Sequence, residues 1–398
     1  MTANNYQKSI IILLLIFLSA CKKDSLPPTI DTGLLLSAKG GATITITGQN
    51  LTAQGNPTVT LNKKQLTIQS ASNSSLTVLI PKMIGSGQLT LTVDGKAYNG
   101  PAFSYQYVAT VTTYAGNGKA IPIDGYGSNA SFYEPWGIVA DKNGDLYVCD
   151  SYARLIRKIA AGTRQVSSIS FNNSLDFFTP YNIALDTINH VLFITDFNEH
   201  VMRMNTNGSN QTVIFATQNT LTDFTANAGI AIGPDGYLYV SDYSKGNINK
   251  MSSTGTSVST YATGLIGPRN LIFDSTGELF VGAYDRSNAT SIIYQVNYSQ
   301  LTTYRKDANF SGWEIAKDTY GNFYEADHFS NTIKLIDPNG SMITLAGNGK
   351  AADIDGVGTN ASFNGPCGLA IDNQGNLYVS TYNFDTGSGN KIRKIIVE

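Results

Sequence analysis

Two sets of aromatic and polar residues recur at matching positions of a repeated sequence phrase. The first set opens an apolar segment and reads Trp136, Tyr181, Ala228, Arg269, Trp313 and Cys367. The second set follows another apolar segment and reads Ser151, Phe197, Tyr243, Tyr284, His328 and Tyr382. The chain has two tryptophans, and both belong to the first set. Flat aromatic faces beside charged groups suit the rings of sugars and the side chains of peptides alike.

The same residues have a structural alternative. Aromatic residues at equivalent places of a repeat can pack between units, and aspartates at strand ends can cap turns. For Trp136 and Trp313 ligand contact and packing stay open, because a required core position would vary less than Trp, Ala, Arg and Cys do. The charged candidates are Arg154, Arg269, Glu314, Asp196, Asp242 and Asp327. For these three aspartates, and for Asp150, we favour capping.

Residues for catalysis are sparse. Among the three histidines, His190 lies in a predicted turn on the face opposite His200 and His328, so three imidazoles cannot converge on one zinc ion. Gly116-Asn-Gly-Lys119 lacks the spacing of a phosphate-binding loop. We therefore predict a protein that is not an enzyme and has no catalytic residue, metal ligand or cofactor. The alternatives are a structural divalent ion or a metal-dependent lactonase-like or lyase-like enzyme, with Glu314 and an Asp or Asn as ligands.

A repeated phrase must position these residues. It consists of an apolar run, a tight turn with Gly and a second apolar run, and it recurs with a period of about 41–54 residues. The inner segments of the six copies begin near residues 137, 182, 229, 270, 314 and 368. Most turns read Asp-x-x-Gly, which suits a two-strand hairpin. A third strand follows each hairpin and a fourth follows in five copies, so the pattern predicts an all-β fold with a six-bladed β-propeller.

Residues 108–398 resemble the NHL repeat family. The resemblance rests on Phe132, Pro135, Gly137, Leu146-Tyr-Val148 and Ile156-Arg-Lys-Ile159 in the first copy. Copy six ends without a fourth strand, and we predict that Ala109–Ala115 supplies it and closes the ring. In this connectivity both candidate sets lie on one face, and the hairpin turns lie on the other. The resemblance also implies a protein-binding role, because NHL propellers often act as scaffolds.

The segment 29–107 reads as a smaller β-sandwich. Strands with period-two alternation, such as Ala42–Thr47 and Gln88–Val93, are separated by turns. Thr45-Ile-Thr-Gly-Gln-Asn-Leu51 and Phe103-Ser-Tyr105 resemble the IPT/TIG family of immunoglobulin-like modules. The resemblance implies a spacer or interaction module.

The N-terminus reads as a lipoprotein signal. Lys8 precedes a short apolar run that ends in Leu18-Ser-Ala-Cys21, which resembles the bacterial lipobox. We predict a signal peptide over 1–20, lipidation of Cys21 and a tether over 21–28. Lys22 favours the outer membrane, on its periplasmic or cell-surface side, in a Bacteroidetes-like bacterium. The two other cysteines, Cys149 and Cys367, are expected to be buried free thiols.

Composition narrows the class of partner. The net charge is −2, so no basic field points to nucleic acid. The sequence therefore predicts a non-catalytic, lipid-anchored binding protein of the cell envelope that binds a glycan. The candidate ligand-binding residues are Trp136, Tyr181, Arg269, Trp313, Glu314, Phe197, Tyr243, Tyr284, His328 and Tyr382. The alternative partner is an envelope protein.

Overall fold

The computed structural model describes residues 26–33, 35–172, 179–196, 200–215, 227–297, 300–308 and 312–398. These residues form β-strands, joined by turns and by two short 3₁₀ helices, Gly127–Asn129 and Gly358–Asn360. Within these ranges no helix has the length and apolar character needed to cross a membrane. The predicted lipidation site Cys21 and the candidate Phe197 lie outside the described residues.

The N-terminal domain is built from eight strands around one core. In chain order they are Thr29–Ile30, Leu36–Ala38, Thr43–Gln49, Thr58–Leu61, Lys64–Ala71, Ser75–Leu79, Gly87–Val93 and Lys96–Tyr105. Numbered in that order, they are hydrogen-bonded as 1-3-6-5-4-7-8-2. Alternate residues, such as Val59 and Leu61, point into a core that also contains Leu76, Val78 and Leu89. This period-two burial is what the alternating sequence predicts.

The six repeats form six four-stranded blades. Blade 1 contains Pro135–Ala140, Leu146–Asp150, Leu155–Ile159 and Gln165–Ser170; blade 2 contains Pro180–Asp186, Val191–Asp196, Val201–Asn205 and Thr212–Phe215; blade 3 contains Asn227–Ile232, Leu238–Asp242, Asn247–Met251 and Val258–Ala262. Blade 4 contains Pro268–Phe273, Leu279–Asp285, Thr290–Asn297 and Gln300–Ala308; blade 5 contains Gly312–Lys317, Phe323–Asp327, Thr332–Ile336 and Met342–Ala346; blade 6 contains Ala109–Ala115, Pro366–Ile371, Leu377–Asn383 and Ser388–Val397. The second strand of each blade is buried along nearly its whole length, because each blade packs both faces against its neighbours.

The hairpin turns show why the Asp-x-x-Gly phrase recurs. In blade 1, Oδ1 of Asp141 accepts hydrogen bonds from the amides of Asn143 at 2.8 Å and Asp145 at 2.9 Å. Gly144 has a φ of 87°, a conformation that costs other residues about 1 kcal/mol or more. The side chain therefore caps the turn, and the glycine lets the chain reverse.

The ring closes as the sequence predicts. Ala109–Ala115 pairs antiparallel with Ser388–Val397, with Val111 opposite Ile395. Val111 is buried with Phe363 and Leu345 between the last two blades. The segment Ala109–Ala115 thus becomes the outer strand of blade 6 and pairs with the edge of that blade's third strand.

Two long loops beside this seam each connect an outer strand to the inner strand of the next blade. A buried arginine holds each loop in place. The guanidinium of Arg157 pairs with Asp150 and Asp124, both at 2.8 Å. In the equivalent place, Arg393 pairs with Asp353 at 3.1 Å and Asp355 at 2.8 Å. Short strands in these loops, Gly125–Tyr126 and Gly356–Val357, add to the outer edges of blades 1 and 6. Asp124-Gly125 and Asp355-Gly356 therefore occupy equivalent positions in the two loops.

The N-terminal domain docks on the hairpin face of blades 5 and 6. Met83 packs into the core between these blades, and its carbonyl accepts a hydrogen bond from Nδ2 of Asn322 at 3.4 Å. Asn339 donates to the carbonyl of Ser86 at 2.6 Å. The face that carries the candidate sets therefore points away from the N-terminal domain.

Candidate functional site

Aromatic side chains from several blades converge over one end of the central channel. The ring centres of Trp136 and Trp313 lie 5.3 Å apart. Tyr181 packs 4.8 Å from Trp136, and His328 stacks on Trp313 at 4.5 Å. Tyr382 lies 6.5 Å from Trp136. Blades 1, 2, 5 and 6 thus contribute to one aromatic cluster.

Serines on second strands hold the first set in place. Oγ of Ser380 donates to the carbonyl of Trp136 at 2.6 Å, and Oγ of Ser241 donates to the carbonyl of Arg269 at 3.1 Å. Gly368 permits this approach, because a Cβ there would lie 2.3 Å from the carbonyl oxygen of Trp136. Each serine belongs to the blade before the residue that it holds, so contacts between blades set the geometry of the cluster.

Two exposed phenylalanines cover the cluster. Phe384 lies 5.0 Å from Trp136 and 5.1 Å from Trp313, measured between ring centres. Phe329 meets Trp313 edge-on at 6.3 Å. The two tryptophans are only 5% and 7% exposed, whereas Phe384 and Phe329 are 42% and 62% exposed. A ligand at this face therefore meets the phenylalanines first.

Arg269 forms the cationic side of the cluster. Its guanidinium carbon lies 4.0 Å from the ring centre of Trp313, 5.4 Å from that of Tyr243 and 5.6 Å from that of Tyr284. Arg286, on the neighbouring loop, lies 5.9 Å from the Tyr243 ring. Tyr243 thus lies beside both guanidinium groups.

A polar layer lies under the aromatic cluster. Glu314 accepts hydrogen bonds from Nδ2 of Asn182 at 2.7 Å and from the amide of Leu369 at 2.9 Å. Asn270 caps the amide of Ile315 at 3.1 Å. Burial raises the pKa of Glu314 to about 7, although the two hydrogen bonds favour its ionised form. This layer tops a cavity of about 270 Å³ in the channel, which is otherwise lined by apolar side chains such as Leu185 and Ile272.

His328 is held as a neutral imidazole. Nδ1 lies 3.3 Å from the carbonyl of Pro366 and 3.6 Å from the thiol of Cys367. Burial lowers the pKa of His328 to about 4. Cys149 and Cys367 are both free and buried, and burial raises the pKa of each thiol. These thiols pack as small apolar groups.

The aspartates at strand ends accept hydrogen bonds from backbone amides. Asp150 accepts from the amide of Tyr133 at 2.6 Å, Asp196 from that of His200 at 2.9 Å, Asp242 from that of Lys245 at 2.9 Å and Asp327 from that of Ser330 at 3.3 Å. Arg154 ends the turn in blade 1, where its amide donates to the carbonyl of Ser151 at 3.0 Å. The capping alternative therefore describes the contacts of Asp242 and Asp327, whereas Asp150 also forms the buried ion pair with Arg157.

The structure brings most of the predicted site residues together. Trp136, Tyr181, Trp313, His328 and Tyr382 form the cluster, with Arg269, Tyr243 and Tyr284 on one side and Glu314 below. Sequence reasoning missed a group that borders the cluster: Phe329, Phe384, Arg286, Tyr133, Tyr152 and Glu134. A signal for two of them was present, because Phe329 and Phe384 follow second-set residues by one and two positions.

Metal-ligating side chains do not gather in the described ranges. Across them, no three His, Cys, Asp or Glu residues lie close enough together to hold an ion. Glu314 has both oxygens occupied by protein donors.

The fold defines a six-bladed β-propeller preceded by an immunoglobulin-like domain. Residues 34–107 match the IPT/TIG domain, and residues 132–159 match the NHL repeat. The chain therefore carries an IPT/TIG domain followed by an NHL-repeat propeller.

Solved structures share this fold over all or part of the chain. A Bacteroides thetaiotaomicron protein of unknown function shares 20% identity at a TM-score of 0.62, with coverage of 94% of this chain and 99% of that one. An auxiliary nutrient binding protein from the same organism shares 17% identity at a TM-score of 0.58, covering 91% and 96%. The PQQ-bound aldose sugar dehydrogenase of Streptomyces coelicolor shares 16% identity at a TM-score of 0.52, covering 73% and 98%. At these identities the likeness establishes the fold alone.

A plant protein shows a partial sequence match. SUPPRESSOR OF QUENCHING 1, a chloroplastic protein of Arabidopsis thaliana, is 24% identical over 287 residues. The match covers 65% of this chain and 25% of the plant protein. The chain thus corresponds to about a quarter of that protein's length.

Proposed function

We propose that this protein is a non-catalytic binding protein of the cell envelope that holds a glycan on the aromatic face of its propeller. The observation that carries the proposal is the cluster of Trp136, Trp313 and Phe384 over the end of the channel, with Phe329 exposed beside it. Aromatic faces pack against the apolar C–H faces of sugar rings. Charged groups at the border, such as Glu134 and Arg286, would supply the hydrogen bonds that orient the ring hydroxyls.

Preorganisation supports a binding role. Ser380 and Ser241 fix the backbone of Trp136 and Arg269 through contacts between blades. A rigid set of aromatic rings loses little conformational entropy when a ligand binds. Among proteins of the same fold, an auxiliary nutrient binding protein agrees with such a role.

The placement of the N-terminal domain supports an envelope location. We propose that Cys21 carries a lipid and that the IPT/TIG domain spaces the propeller from an outer membrane. Met83 and Ser86 attach this domain to the hairpin face, so the aromatic face is left free. Incorporation of labelled palmitate into the protein, and its loss in Cys21→Ala, tests the anchor.

Tryptophan fluorescence tests the glycan site directly, because both tryptophans of the chain belong to the cluster. We expect a subset of neutral and acidic oligosaccharides to change the emission and to raise the melting temperature. Phe384→Ala and Phe329→Ala should each weaken binding about 10-fold without unfolding the protein, since both rings are exposed. The double variant with Trp136→Ala and Trp313→Ala should abolish glycan binding, as measured by calorimetry.

Tyr237→Ala is the matched control, because this exposed tyrosine lies in a hairpin turn on the opposite face. Its affinity for the same oligosaccharides should equal that of the wild type. Affinities unchanged by the cluster variants would refute the glycan site.

A protein partner is the second candidate, favoured by the exposure of Phe329 and Tyr152. A stoichiometric envelope partner that is lost with Phe329→Ala, together with no response to any glycan, would select this function. The enzymatic alternative predicts instead that a chelator lowers the melting temperature of the purified protein.

A further inference from the structure

Arg269 is a buried cation without an anionic partner in the described part of the chain. Its side chain is 6% exposed, and Nε is buried without a hydrogen-bond acceptor among the described residues. The described residues also place no carboxylate within ion-pair distance of its guanidinium. The other buried arginines, Arg157 and Arg393, each hold two aspartates. Arg269 is therefore unlike the structural arginines of this fold.

Two carboxylates of the aromatic site are committed elsewhere. Glu314 accepts from Asn182 and Leu369, and Glu134 accepts from Nε1 of Trp136 at 3.1 Å. The guanidinium instead packs against the faces of Trp313, Tyr243 and Tyr284. Aromatic faces attract a cation, but they satisfy none of its five N–H donors in the plane of the group.

A buried guanidinium that has no carboxylate partner among the described residues favours an anion supplied by a ligand. Partial burial strengthens its interaction with a carboxylate or sulfate, and the planar fork suits two parallel hydrogen bonds. Arg286 adds a second positive charge at the same Tyr243 ring. The stacked rings also hold the guanidinium in place, so the arginine loses little side-chain entropy on binding.

We propose that Arg269 forms an anion subsite and that the glycan bound at this face is acidic, bearing a carboxylate or sulfate on a sugar that packs against the aromatic cluster. This inference rests on the proposed glycan-binding function and adds the charge of the ligand to it. The sugar ring contacts the aromatic face, and its acidic substituent pairs with Arg269.

The test compares matched acidic and neutral ligands by tryptophan fluorescence and calorimetry. Trigalacturonate and galactotriose supply the carboxylate arm, and a chondroitin sulfate tetrasaccharide with its desulfated form supplies the sulfate arm. We expect the wild-type protein to bind at least one acidic ligand 10-fold or more tightly than its neutral counterpart. The arm that shows the preference identifies the acidic group.

Arg269→Gln should reduce affinity for the acidic ligand at least 10-fold and leave affinity for the neutral one within about 2-fold. Arg269→Lys keeps the charge without the planar fork and should retain part of the preference, which also guards against misfolding of the glutamine variant. Arg286→Gln removes the exposed second charge and should lower acidic affinity by about 3-fold or less. A rise in salt should reduce the acidic preference.

The outcomes separate the two proposals. Equal affinity for acidic and neutral ligands, or an acidic preference that survives in Arg269→Gln, overturns the anion subsite and leaves the glycan site standing. If no oligosaccharide binds, the glycan function fails, and sodium sulfate alone then tests the subsite. A fluorescence change with sulfate that is lost in Arg269→Gln supports the subsite, whereas its absence in the wild type overturns it.

Discussion

Glu314 of blade 5 accepts a 2.7 Å hydrogen bond from Asn182 of blade 2, on the opposite side of the ring. Its second oxygen accepts from the amide of Leu369 in blade 6. The side chain therefore joins three blades across the channel, directly below Trp136 and Trp313. Closure of the channel at this level makes the aromatic cluster the floor of a surface site.

The position of Glu314 makes stability depend on pH. Burial raises its pKa from 4.5 to about 7, so the folded state keeps a proton that the unfolded state loses. The contribution of Glu314 to the free energy of unfolding is greatest below pH 4.5. It falls by on the order of 3 kcal/mol as the pH rises to about 7. Glu314→Gln should remove that part of the pH dependence, as measured by urea unfolding from about pH 4 to about pH 8.

Glu325 provides the comparison in the same blade. It accepts a hydrogen bond from Ser291, and burial raises its pKa to about 8. Glu325→Gln should therefore remove the decrease in the free energy of unfolding that continues above about pH 7. Glu314→Gln should leave that part of the pH dependence intact. A Glu314→Gln protein with the complete wild-type pH profile would show that this carboxyl group titrates normally.

Phe384 controls the exposure of the tryptophans. Its ring lies about equally far from Trp136 and Trp313, at 5.0 Å and 5.1 Å. Phe384→Ala should shift the emission to longer wavelength and raise acrylamide quenching about 2-fold. The free energy of unfolding should fall by about 1 kcal/mol, less than for a buried phenylalanine.

Tyr237→Ala should change neither the emission nor its quenching, because that ring lies on the hairpin face. Emission in Phe384→Ala that matches the wild type would mean that other side chains shield the tryptophans.

The sequence predicts those parts of the site that follow from the repeat. Trp136 and Trp313 occupy one register, so any propeller places both at the same end of the channel. Closure by Ala109–Ala115 also follows, because copy six lacks a fourth strand. Both are confirmed, since repeat-equivalent residues share a face and unpaired strand edges need partners.

Contacts between non-adjacent blades do not follow from the repeat. The hydrogen bond from Asn182 to Glu314 depends on the diameter of the ring, which no single copy encodes. Phe329 and Phe384 belong to loops whose conformations differ between copies, so their cover over the tryptophans was not predicted. Docking of Met83 on blades 5 and 6 depends on the relative orientation of the two domains. The strand pattern of neither domain carries information about that orientation.

The closing strand offers a sharp test of ring closure. Val111 is buried between blades 5 and 6 and lies opposite Ile395. Val111→Asp places a charge in this core and should lower the free energy of unfolding by more than about 4 kcal/mol. Thr112→Asp is the matched control, because this neighbour on the same strand is exposed, and its cost should stay below about 0.5 kcal/mol. Similar unfolding curves for the two variants, measured in urea, would contradict the closure.

The contact at Met83 predicts that the two domains unfold together. Met83 packs with Tyr324 and Leu377 of the propeller, while its amide donates a hydrogen bond to the hydroxyl of Tyr105 at 2.8 Å. Met83→Glu would place a carboxylate against this apolar surface and should detach the N-terminal domain from the propeller. Calorimetry should then resolve two transitions where the wild type shows one. Lys82→Glu changes the exposed neighbour and should keep the single transition, so two transitions in both variants, or one in both, would argue against coupling through Met83.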